Sequence, residues 1–215
     1  MDERATGIIL RTRPLTETSL IVHWLTPELG RIATVAKGAR RPKSPFRGKL
    51  DLFYVCDFTF VRSRRSELHA LREAALRETH SALRKDLGWL EQASYAAALM
   101  EQTTETETPL EGFFELYSGF LAGLMTHPPQ PQTIFAFELK LLHQLGQSPD
   151  LASASLSEGS QRIAERLTLG AWEELTRLRP SGGQTKELSH FLHGFLVHHL
   201  GKAIKGREAA LACGV

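Results

Sequence analysis

The apolar pattern of this chain changes period once, near residue 80, and that change limits the folds open to it. Before it, apolar residues come in short runs rich in β-branched and aromatic types: Gly7–Leu10, Ser19–Leu25 (SLIVHWL), Arg31–Ala36 (RIATVA) and Leu50–Val61 (LDLFYVCDFTFV). Short runs bounded by turn residues read as strands. Pro27-Glu-Leu-Gly30 is a turn signal, with Pro early and Gly late, so the second and third runs pair as a hairpin. Leu68–Leu76 (LHALREAAL) reads two ways: it holds good helix formers, yet it could complete a small barrel as a last strand.

From about Ser81 the texture is helical. Trp89–Met100 is Ala-rich, and Leu110–Met125 carries Phe113, Phe114, Leu116, Tyr117, Phe120, Leu121 and Leu124 on one broad stripe. His127-Pro-Pro-Gln-Pro131 breaks that helix. Ile134–Leu145 is another helix, ended by Gly146 and Pro149, and 147–160 reads as a Ser/Ala/Gly-rich loop. A short helix around Leu175 stops at Pro180-Ser-Gly-Gly183, and Leu188–Leu200 is the last strong one. The expectation is an α+β chain. A small closed β-barrel of the oligonucleotide-binding kind (OB-fold) occupies 1–80, and an all-helical domain occupies 81–215.

At 215 residues, 42 % hydrophobic and 23 % charged, the chain can bury a core, which excludes wholesale disorder. No apolar run approaches the roughly 18–20 residues of a membrane helix. The start, MDERATGIIL, sets two acids beside the first Met, unlike a secretory signal. Two cysteines, Cys56 and Cys213, exclude a disulfide framework and a four-cysteine zinc site, and a reducing cytoplasm is expected.

Net charge is only +2, but it is unevenly spread. Residues 1–80 hold 15 Lys/Arg against 9 Asp/Glu, and residues 81–215 hold 11 against 15. Within the first part, Arg31, Lys37, Arg40, Arg41, Lys43, Arg47 and Lys49 are seven basic residues in a stretch with no acid. Each can neutralise a phosphate and release a condensed counterion, so these seven are the candidate nucleic-acid contacts. Gly38, Pro42, Pro45 and Gly48 lie among them and hold the loop open. Phe46, Phe53, Tyr54 and Phe58 are candidate stacking partners for bases, with barrel core weighed above stacking for the last three.

Enzymatic motifs find no support. There is no phosphate-binding Gly-x4-Gly-Lys-Ser/Thr, no Gly-x-Gly-x-x-Gly and no Gly-x-Ser-x-Gly. Glu173-Glu174 reads as a solvated helix face. His190, His193, His198 and His199 share one helix, and 190 and 193 share a face. Two zinc ligands are therefore geometrically possible, but a catalytic site needs a third, and imidazoles in an amphipathic helix are the preferred reading.

Arg13–Ser44 (RPLTETSLIVHWLTPELGRIATVAKGARRPKS) strongly resembles the N-terminal region of the RecO family of bacterial DNA repair and recombination mediators. Thr16–Leu20, the Gly30-Arg31 pair and Ala36-Lys-Gly-Ala-Arg40 are the most specific features. Phe137-Glu-Leu-Lys-Leu-Leu-His-Gln-Leu-Gly146 with Pro149 is similar to the family's helix before its cysteine-bearing loop. His199-Leu-Gly-Lys202 with Lys205-Gly-Arg-Glu208 is similar to its final helix. The resemblance implies an OB-fold barrel, a helical C-terminal domain, no cofactor and no enzymatic activity. It implies binding to single- and double-stranded DNA and annealing of complementary strands. It also implies work with RecR, sometimes RecF, to replace single-strand-binding protein with RecA, in the cytoplasm at the nucleoid. Many members carry four zinc-binding cysteines where this chain reads DLASASLSEGS, so no structural zinc is expected. Gly206 stands where the closing Lys-Ser-Arg motif has serine. Phe135 and Ala136 stand where some members have arginines near their site for the tail of single-strand-binding protein. The surface near Phe135, Leu139 and Lys140 is the corresponding partner-binding candidate. The rival readings are an RNA-binding OB-fold protein of translation or RNA decay, and a metal enzyme using the C-terminal histidines.

Overall fold

The structure, a computed structural model, describes residues 2–175 and 177–212. It divides into two compact units, 1–81 with 104–115, and 82–103 with 116 onward.

The first unit is a barrel of five strands: β1 (Asp2–Pro14), β2 (Leu20–Thr26), β3 (Gly30–Ala36), β4 (Val55–Val61) and β5 (Leu68–Glu78). The neighbour order β1-β2-β3-β5-β4 closes because β1 pairs with both β2 and β4, and only the β3–β5 pair is parallel. Closure leaves no open edge, and the arrangement is OB-like, as expected. The double duty of β1 makes it longer than its apolar run Gly7–Leu10. Its register shifts between Ile9 and Arg11, where the strand bends from one partner to the other.

The core follows strand alternation. Cys56, Phe58 and Phe60 of β4 point inward, and Trp24 stacks on Phe58 at 4.1 Å between ring centroids. The buried indole donates to Thr34 Oγ1 at 2.8 Å, which removes the penalty of burying its N–H. The ambiguous Leu68–Leu76 run is a strand: Leu71 and Ala74 enter the core while Arg72 and Glu73 face out. Pairing on both sides, with β3 and β4, overrides its helix propensity. The apolar stretch from Leu50 does not begin a strand, because Phe53 has φ +67° and turns the chain; β4 starts at Val55.

Residues 104–115 form a strap on this barrel. Glu107 N–H donates to Arg31 C=O at 2.7 Å, and Arg31 bridges Thr106 in parallel. Gly30 permits the approach. Its φ is +65°, and a Cβ there would lie 2.0 Å from Thr108 O. Nothing in the sequence pattern pointed to this strap.

The second unit contains α1 (Leu87–Thr103), α2 (Phe113–Leu124, from Leu116 on), α3 (Pro131–Gln144), α4 (Glu158–Leu169), α5 (Trp172–Leu175), α6 (Gly182–Leu200) and α7 (Arg207–Ala212). Helix α3 is its axis: every residue from Gln132 to Leu139 is buried, as for a helix surrounded by others. Helix α6 opens on a capping box of Ser181 and Gln184 and closes at Gly201 with φ +69°. The two blocks of the expected final helix therefore straddle a break. His199 and Leu200 end α6, and Arg207 opens α7. Among the described residues, no helix is long and apolar enough to cross a membrane.

Candidate nucleic-acid interface

The segment between β3 and β4 is a chain of turns and not an open loop. Successive i to i−3 bonds join Ala39 to Ala36, Arg41 to Gly38, Ser44 to Arg41, Arg47 to Ser44 and Lys49 to Phe46, at 3.0–3.3 Å. Phe46 anchors it: 7 % exposed, the ring belongs to the barrel core with Trp24 and Phe58. The segment is also tied to the β1–β2 loop, since Arg40 N–H donates to Thr18 C=O at 3.0 Å and its guanidinium to Thr16 C=O at 3.3 Å.

This scaffold turns most of the expected cations outward. Lys37, Arg40, Arg41, Lys43 and Arg47 are exposed, and Lys49 is half-buried. Arg31 stands apart. It sits at the far end of β3, about 20 Å from Lys37 at the usual strand rise. Its guanidinium donates to Thr104 Oγ1 at 2.6 Å and to the Thr104 carbonyl, so it holds the strap. Of the proposed stacking rings, Phe46, Phe53 and Phe58 are buried in the barrel, and only edges of Phe46 and Phe58 reach the concavities beside the turns. Tyr54 is half-buried against the same core.

Two concavities flank the turns. One, about 420 Å³, is walled by Arg40, Arg41 and Arg47. The larger, about 710 Å³, is lined by Arg4, Lys49 and Arg72 but also by Glu28, Asp57 and Glu73. Its charges cancel, so the smaller one is the better host for an anion.

Sequence reasoning missed basic residues outside the run. Arg11 and Arg13 sit on β1 opposite His23 and Ile21 of β2. Together with Arg31 they bear on His23, whose pKa falls to about 4, first through burial and then through these three charges. Arg64 and Arg65 are exposed in the β4–β5 loop, at the end of the barrel where β5 begins. The one available signal was the spacing Arg-Thr-Arg and Arg-Ser-Arg-Arg, too short to register as a charge run.

In the helical unit the partner-binding candidates are not a surface. Phe135 and Leu139 are 0 % and 1 % exposed and pack with Leu167, Leu188 and Leu192. Lys140 is half-buried. Its ammonium donates to the carbonyls of Thr168 (3.0 Å) and Gly170 (2.6 Å) at the end of α4, and lies 5.4 Å from the Trp172 ring centroid. Burial lowers its pKa from the usual lysine value. It acts as a C-terminal cap for α4.

The two resemblance motifs of this unit meet instead in its interior. Arg207 holds the Glu138 carboxylate with two bonds, 2.7 and 3.0 Å, and a third guanidinium nitrogen donates to Ser189 C=O at 3.2 Å. Tyr95 of α1 donates to the same carboxylate at 2.5 Å. Burial and the Glu138 charge together raise the Tyr95 pKa, so the phenol stays a donor.

All four histidines of α6 are exposed; His199 stacks on Phe195 at 4.0 Å, and His198 meets the His199 ring edge-on at 5.3 Å. Among the described residues, no three His, Cys, Asp or Glu side chains gather as a metal site. Cys56 is buried and its thiol pKa is pushed up to about 11, first by burial; Cys213 lies outside the described residues.

Residues 1–80 match the family Recombination protein O N terminal, and residues 84–158 match Recombination protein O C terminal. The DNA repair protein RecO of Rhodopirellula baltica is 33 % identical over 179 residues, covering 81 % of this chain and 66 % of the relative. That of Symbiobacterium thermophilum is 30 % identical over 242 residues, covering 94 % of each. That of Anaeromyxobacter sp. (strain K) is 29 % identical, covering 95 % of this chain and 94 % of the relative.

Proposed function

We propose a function from one premise: the chain belongs to the RecO family, whose curated members are DNA repair proteins. The proposal is a non-enzymatic mediator that binds single- and double-stranded DNA and anneals complementary strands. With RecR, and RecF in some systems, it helps exchange single-strand-binding protein for RecA. The observation that carries the DNA-binding part is the ordered turn segment 37–49. It presents five exposed cations and no acid, braced by Phe46 in the barrel core.

Mechanistically, this segment holds one strand by its phosphates. Neutralising them lowers repulsion against a second strand, and base pairing then drives annealing. The buried state of Phe46, Phe53 and Phe58 favours backbone contact over base contact, which suits a reaction that must tolerate any sequence. Contact with the acidic tail of single-strand-binding protein belongs to the same reading. Exposed residues other than Phe135 and Leu139 have to form that site.

Strand annealing with and without single-strand-binding protein tests the whole. The chain should accelerate pairing of both naked and coated strands. No acceleration of either overturns the proposal, and tighter binding to RNA than to DNA of equal length favours the RNA-binding rival.

A narrower expectation concerns salt. If the five exposed cations each meet a phosphate of a single strand, log K should fall against log salt with a slope of about −3.5. Replacing Arg40 and Arg41 by Ala should flatten it by roughly 1.4. Arg31→Ala should leave the slope as it was, since that side chain serves the strap. An unchanged slope in the Arg40/Arg41 variant moves the DNA site elsewhere on the molecule.

A further inference from the structure

We propose that the concavity walled by Arg40, Arg41 and Arg47 binds a terminal phosphomonoester together with its nucleotide. This deepens the DNA-binding reading and rests on it. The site's volume, about 420 Å³, lies in the range of small-ligand pockets and suits a single nucleotide. Its floor is apolar: Leu20, Ala39 and Leu50 pack against the barrel core from the pocket side. Its wall is cationic, and no acidic residue lines it.

The wall is also ordered. Arg40 is fixed through backbone and side chain to the β1–β2 loop, and Arg47 donates to Pro42 C=O at 3.4 Å. Arg41 is exposed, and its backbone is placed by the turn that Gly38 sets with φ +69° and by the bond of its N–H to Gly38 C=O at 3.0 Å. Three guanidiniums around one concavity, two of them held by backbone carbonyls, are a different device from cations strung along a groove. A phosphodiester inside a strand brings one charge and two free oxygens, and it needs an entry and an exit for the chain. A phosphomonoester brings close to two charges at neutral pH, three free oxygens and a single exit. Planar guanidinium forks match those three oxygens with charge-assisted bonds. The sugar and base of the same nucleotide then have the Leu20–Leu50 floor to cover. The ligand chemistry is shared by a phosphorylated strand end and a free mononucleotide.

One set of titrations separates the outcomes. A short fluorescent oligonucleotide is compared in three forms, with a 5′-phosphate, with a 3′-phosphate and with neither, and deoxyadenosine monophosphate is added as competitor. One phosphorylated form is expected to bind roughly ten- to a hundredfold tighter than the unphosphorylated strand. Arg41→Ala and Arg47→Ala should abolish most of that preference; both positions are exposed, so the barrel should stay folded. Competition by the mononucleotide at equal strength assigns the site to free nucleotides, and failure to compete assigns it to strand ends. Equal affinity of all three oligonucleotides overturns the pocket while leaving general DNA binding in place. No binding of any of them overturns the function proposed above, and the pocket with it.

Discussion

Replacing Arg207 by Met should destabilise the helical unit by about 3–5 kcal/mol, the cost of leaving one buried charge without its partner. Glu138 is completely buried, and its carboxylate depends on the guanidinium and on Tyr95 for every bond the structure gives it. Glu138→Gln should cost a similar amount by stranding Arg207. The pair Glu138→Leu with Arg207→Met should lose less than the sum of the single changes, because an apolar pair strands no charge and leaves only the Tyr95 hydroxyl without its acceptor, at about 1–3 kcal/mol. Urea unfolding followed by the helical signal measures all three. A single change costing under about 1 kcal/mol would mean that water reaches the pair and screens it. Since the chain divides into two units, the transition to follow is that of the helices.

That interaction shows what a sequence can and cannot carry. Phe137-Glu-Leu and Lys205-Gly-Arg were both legible as motifs, but 69 positions separate Glu138 from Arg207, and no local pattern pairs them. The same holds for α3. A helix buried along most of its length has no polar face to read, so no local signal weighed against the resemblance that pointed to Phe135 and Leu139 as partner contacts. The barrel was more legible. Strand runs, the Pro27–Gly30 turn and the charge run are local signals, and the structure has a strand or a turn at each. What stayed hidden there came from distant pairing: β5 is a strand because β3 and β4 flank it, and Arg31 belongs to a strap more than 70 residues away. Separating Arg31 from the other six cations needed the strand's length and the strap's position, neither of which is a property of the run itself.

Phe46 links the fold of the barrel to its proposed work, and Phe46→Ala should cost both. Removing a ring that is 7 % exposed and packed in the barrel core should lower stability by about 3–5 kcal/mol, the usual range for a buried Phe. Phe46→Leu, which keeps most of the apolar volume, should cost about half as much or less. The effect on DNA is of a different kind from that of removing charge. The Ala variant retains every cation from Lys37 to Lys49, so the slope of log K against log salt should not change. The turns that Phe46 pins would have to be ordered on binding, at about 1 kcal/mol for each residue newly fixed, so affinity at any one salt concentration should drop by roughly tenfold or more. Anisotropy titrations at several salt concentrations, made where the variant is still folded, distinguish the two cases. Parallel lines displaced to weaker binding identify loss of preorganisation. A flattened line, as expected for the Arg40/Arg41 variant, would mean that Phe46 also sets which cations reach the phosphates. Coincident lines would mean that the segment keeps its shape without the ring, and that its successive turn hydrogen bonds alone suffice to present the charges.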